Sequence, residues 1–67
     1  MRASPLSTIL ENLQQAYHLV DDTLHIIEDS GSFAVLAPEV AAVRDKLNAL
    51  AEIAAALLDV QREGKPP

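Results

Sequence analysis

From residue 38 to residue 63 the chain reads PEVAAVRDKLNALAEIAAALLDVQRE, and Val40, Val43, Leu47, Leu50, Ala54 and Leu57 recur at alternating steps of three and four. That spacing puts them on one stripe of an α-helix. Ile53, Leu58 and Val60 widen the stripe, and Ala42, Ala49, Ala51 and Ala56 extend it. Asp45, Asn48, Glu52, Asp59 and Arg62 gather on the opposite side. Alanine and leucine dominate, so intrinsic propensity agrees with the pattern. Nothing in the segment is chemically reactive. It is a packing element, and the rest of the chain is expected to pack on it.

The first half of the chain repeats the theme. Leu10, Leu13, Tyr17, Val20, Leu24 and Ile27 follow steps of three and four without a break, which is a heptad seam. Leu6 and Ile9 extend it. Beside it runs a second stripe of Asn12, Ala16, Leu19, Thr23 and Ile26. At 100° per residue the two stripes cover about 200° of the helix circumference.

Punctuation sets the boundaries. Ser4 before Pro5 predicts a helix start, since serine caps and proline suits the first helical position. Thr8 with Glu11 offers a later start of capping-box form. Ser30-Gly31-Ser32 predicts the end, with Gly31 in the left-handed conformation that closes helix C-termini. Phe33 to Ala37 is an apolar connection, read either as a helical turn or as an extended segment capping the core. Pro38 and Glu39 start the second helix. Gly64 stops it, and Lys65-Pro66-Pro67 cannot continue it. The expected layout is one domain over 1–67, with helix one at about 5–29, a connection at 30–37, helix two at about 38–63 and a tail at 64–67.

The fold class expected is all-α. Two helices of similar length joined by a short connection predict an antiparallel two-helix hairpin. A chain this short buries only roughly 60% of its unfolded surface. One seam also cannot cover apolar arcs this wide. A second copy would, so the expectation is a homodimer closing a four-helix bundle. Its core would comprise Leu10, Leu13, Tyr17, Val20, Leu24, Ile27, Val43, Leu47, Leu50 and Leu57.

Several function classes are disfavoured. There is no cysteine, which excludes disulfides and thiolate metal sites and fits a reducing, cytoplasmic setting. The apolar runs are far shorter than a membrane span, and none of signal-peptide length follows Arg2. Ten acids against five Lys and Arg give a net charge of −5. That argues against a nucleic-acid partner and against an anionic membrane surface. Ser4, Ser7, Ser30 and Ser32 sit at helix ends, where capping explains them. Two glycines cannot build a phosphate loop. No enzyme activity, catalytic residue or cofactor is expected.

His18, Asp22, His25 and Asp29 are spaced by four, three and four along helix one. Imidazole and carboxylate are zinc and iron ligands. The strip lies well away from the seam, however, so no metal is expected there and a solvated face with local His–Asp pairs is preferred.

Charge is the more informative signal. No Lys or Arg lies between Ala3 and Val43, a span that holds Glu11, Asp21, Asp22, Glu28, Asp29 and Glu39. An ordinary solubilising surface is one reading. The sharper one is a surface complementary to a basic protein. The residues expected to meet it are Asp21, Asp22, Glu28 and Asp29, with Phe33 as apolar anchor; the bland role for Phe33 is a cap on the bundle end.

The function expected is therefore a small acidic, non-catalytic interaction module. It would bind and inhibit another protein, such as a transcriptional regulator or other host factor, in the manner of an antiactivator or phage-encoded inhibitor. The alternatives are an assembly subunit of a larger helical complex and a metal-binding bundle.

Overall fold

A computed structural model describes residues 5–62. They are all-helical: α1 spans Pro5–Ser30, a 3₁₀ turn spans Ala34–Leu36, and α2 spans Ala37–Arg62. The two long helices, 26 residues each, pack on one another as a helical hairpin. Around the connection, α1 runs to Ser30 against an expected end at about 29, and α2 starts at Ala37 against an expected start at about 38. Helix α1 is continuous from Pro5, so the later start at Thr8 is not used. The expected Ser4 cap, the Gly64 stop and the tail lie outside the described residues.

The turn is built from local chemistry. Gly31 takes φ +69°, and its N–H donates to the carbonyl of Ile27 at 3.2 Å. Only glycine adopts that conformation without steric cost. Ser30 Oγ donates to the Ile27 carbonyl at 3.0 Å and accepts from the Ser32 N–H at 3.1 Å. Leu36 N–H then donates to the Phe33 carbonyl at 2.9 Å, closing the 3₁₀ turn. Of the two readings of the connection, the helical turn is the one found. Pro38 falls in the first turn of α2, where its missing N–H has no intrahelical role to lose.

Leu24, Ile27 and Ala54 are the buried core among the described residues. On α1 the expected seam is the one that turns inward, with Leu10, Leu13, Tyr17 and Val20 half-buried beside Leu24 and Ile27. On α2 the inward seam is rotated from the expected stripe. Val40, Leu47 and Ala54 face α1 as anticipated, but the intervening positions are Arg44, Ala51 and Leu58. Val43, Leu50 and Leu57, expected in the core, are exposed in the single chain. Both frames share every seventh residue, so periodicity alone does not separate them. Packing does: Ala51, Ala54 and Ala55 are small enough to let the two backbones approach, and Arg44 at the seam reaches an acid on α1. The bulkier valine and leucines are left on an adjoining stripe.

Candidate functional site

Helix geometry sorts the charges of α1 onto one arc. Glu11, His18 and His25 recur every seven residues, as do Asp22 and Asp29, and as do Gln14, Asp21 and Glu28. At 100° per residue these three rows are neighbours and span about 100°. The two rows between the seam and this arc on the other side, Ile9, Ala16 and Thr23 with Asn12, Leu19 and Ile26, carry no charge at all. The helix is thus divided lengthwise into an inward seam, an acidic arc and an uncharged arc.

The acids predicted for a partner surface are not equivalent. Asp22, Glu28 and Asp29 are exposed, and among the described residues none has a Lys or Arg within ion-pairing distance. Asp21 is half-buried and occupied. Its Oδ1 lies 3.3 Å from Arg44 Nη1 across the hairpin, and its Oδ2 lies 3.6 Å from His25 Nδ1. Arg44 also meets its neighbour Asp45 at 3.3 Å. The hydrogen bond that Arg44 donates to Asp21, supported by Asp45, raises the guanidinium pKa above its usual value against the opposing effect of desolvation. The cation's contribution is therefore fully present below that value and constant across neutral pH.

Arg44 was not anticipated from the pattern. The available signal was a cation four residues after Val40 and three before Leu47, at a spacing otherwise filled by apolar residues. Because the pair is half-exposed, it orients the helices more than it stabilises them. Arg44→Ala and Asp21→Lys are each expected to lower the thermal midpoint, Asp21→Lys more because it sets two cations together. The swapped double change, Asp21→Arg with Arg44→Asp, should recover part of the loss. Circular dichroism melts of the four proteins check this, and additive losses would remove the pair's orienting role.

Of the histidine strip, Asp22 and His25 come together with Asp21, their potential ligand atoms lying within 4.8 Å of one another. His18 and Asp29 do not join the group. His18 instead stands edge-on to the Tyr17 ring at 5.5 Å between centroids. The Arg44 guanidinium already sits on Asp21, and its charge opposes a second cation at the same carboxylate. The arrangement fits the local His–Asp pairing better than a metal centre. A shallow depression over Glu11, Gln14, Gln15 and His18 follows one face of α1. These residues stand at i, i+3, i+4 and i+7, so a single helix surface makes it and no second element encloses a substrate.

Phe33 is 70% exposed and adopts φ 58°, ψ 26°. A left-handed conformation is unusual for a residue with a bulky side chain. Here it points the only phenylalanine away from the hairpin, with Val35 also exposed beside it. In the single chain Phe33 does not cap the end of the core.

No described helix is long and apolar enough to cross a membrane. Comparison with known proteins gives no further lead: no family model, curated protein or solved structure matches the chain.

Proposed function

We propose that this chain is a non-catalytic acidic interaction module that binds a basic surface on another protein and modulates it, most simply by occlusion. The observation that carries the reading is the lengthwise division of α1. Its five acids lie on one arc with no Lys or Arg on the whole helix, and Asp22, Glu28 and Asp29 are exposed. Folding does not require that separation. A surface of one sign attracts and orients an oppositely charged partner, chiefly by raising the association rate. Phe33, presented at the turn next to these acids in sequence, supplies the apolar contact from which affinity would come.

The form in which it acts is an antiparallel hairpin paired with a second copy as a four-helix bundle. The cross-helix contact supports the antiparallel sense. Asp21 lies nine residues before the end of α1, and Arg44 lies seven after the start of α2, so the contact is nearly equidistant from the turn. The exposed apolar stripe on α2 supports the pairing. That same stripe is what an assembly subunit of a larger helical complex would show, and solution mass separates the two: a closed dimer for the module, an orphan monomer for the subunit.

The test is comparative capture from the source cell. Asp22→Lys with Asp29→Lys reverses the exposed acidic row and leaves the Asp21–Arg44 pair untouched. A specific partner should be retained by the unmodified chain, lost with the double variant, and released by salt as the Debye length shrinks from about 10 Å at 0.1 M to about 3 Å at 1 M. Capture that is indifferent to both would reduce the acidic arc to a solubilising surface.

A further inference from the structure

The uncharged arc of α1 has an internal order that its exposure makes available. Ile9, Asn12, Ala16, Leu19, Thr23 and Ile26 follow steps of three and four, the spacing of a second heptad seam. All but the half-buried Ala16 are exposed, Leu19 and Ile26 to 67%. The spacing of the stripe and its order of apolar and polar positions are the same from either end. Ile9 and Ile26, Asn12 and Thr23, and Ala16 and Leu19 are placed symmetrically about a point between Tyr17 and His18, and that point is the middle of α1.

We propose that α1 packs antiparallel against α1 of a second copy through this stripe, about a two-fold axis at the helix midpoint. A two-fold interface is self-complementary, so that if residue i meets residue j, then j meets i. The stripe meets that condition along its whole length. Isoleucine faces isoleucine at both ends, and each Leu19 side chain lies over the small Ala16 of the other copy.

The polar pair fits as well. Thr23 Oγ1 donates its only proton to the Leu19 carbonyl at 2.8 Å. Its oxygen keeps lone pairs to accept, and the Asn12 amide supplies N–H donors. Asn12 of one copy thus bonds Thr23 of the other, twice by symmetry. A polar residue in an apolar seam fixes register, and here it would do so for an antiparallel pair.

The area agrees. A compact folded chain of 7.2 kDa exposes about 4,100 Å² by the size scaling of monomers, against 5186 Å² here. Ile9 at 49% exposure, with Leu19 and Ile26 at 67% each, is the apolar surface that the pairing would cover. The thinnest extent of the chain is 12 Å, about one helix diameter, so the hairpin is a single layer with no second layer to bury its face. The acidic arc of α1 stays outside the pairing, and charge repulsion between copies is kept off the seam.

The proposal deepens the dimeric form put forward above, and its test is separable from partner capture. The full chain has no cysteine, so single substitutions report directly on proximity. Asn12→Cys mixed with Thr23→Cys should give a covalent dimer with a short thiol-specific linker. Neither variant alone should link to itself, because like positions are separated by about 16 Å along the axis in this register. Far-UV circular dichroism confirms that each variant keeps its helices. Self-linking of Asn12→Cys, a dimer by sedimentation that lacks the mixed link, or a monomer at every concentration would each overturn the seam. Partner capture that survives any of those results leaves the interaction-module reading standing. Loss of salt-sensitive capture, with the mixed link intact, removes the module reading and keeps the seam.

Discussion

Leu24→Asp is expected to unfold the chain. Leu24 is 5% exposed and is one of three buried residues among those described, with Ile27 and Ala54. A carboxylate there would replace the centre of the seam by an uncompensated charge, at a cost of roughly 3–5 kcal/mol. Domains are stable by about 0.05–0.15 kcal/mol per residue, which for this chain is on the order of 3–10 kcal/mol. A hairpin with so small a core belongs near the lower end of that range. One substitution is then comparable with the whole stability. The expected result is loss of most of the helical signal at 25 °C in far-UV circular dichroism. His25→Ala, one residue along and exposed, should retain it. Helical content unchanged in Leu24→Asp would mean that the α1–α2 seam is not what holds the chain together.

The helices and their ends at the connection were legible in the sequence because the signals are local. Heptad spacing, a proline in each first turn and Gly31 at the end of α1 act within a few residues, and the structure follows them. The α1 seam was legible for the same reason, since one apolar row is flanked by an acidic arc. On α2 the pattern did not show that Val43, Leu50 and Leu57 lie off the face that meets α1 in the single chain. Apolar residues occupy two adjoining rows there, and a period cannot say which row faces a neighbour on the same chain. That choice is made by tertiary terms, the small alanines at the closest approach and the reach of Arg44 to Asp21. The status of Asp21 was hidden for the same reason. Read along α1 it is one of five acids, and only the approach of α2 turns it into half of a cross-helix pair. The backbone of Phe33 was not legible either. An apolar run predicts burial, and the tight turn after Gly31 places this residue in a left-handed conformation facing outward.

The opposite pattern is expected at Leu50, where the change should act between copies. Leu50 is 38% exposed in the single chain, in a row with Val43 and Leu57. An aspartate there remains solvated in the isolated hairpin and disturbs neither Leu24 nor Ala54. In the proposed four-helix bundle it would be covered by the second copy, and the two-fold axis would bring in two such charges per dimer. Each uncompensated charge costs roughly 3 kcal/mol or more. At about 1.4 kcal/mol per tenfold, association should weaken a hundredfold at the least. Sedimentation should then show the unmodified chain as a dimer and Leu50→Asp as a monomer at the same concentration. Thermal melts give an independent reading: a protein that folds as a dimer melts at higher temperature as its concentration rises. That dependence should be present in the unmodified chain and absent in Leu50→Asp. Asp22→Lys with Asp29→Lys should keep it, because those acids lie on the arc that pairing leaves exposed. A Leu50→Asp protein with the mass and concentration dependence of the unmodified chain would take the α2 stripe out of the interface and leave the α1 stripe to hold the two copies alone.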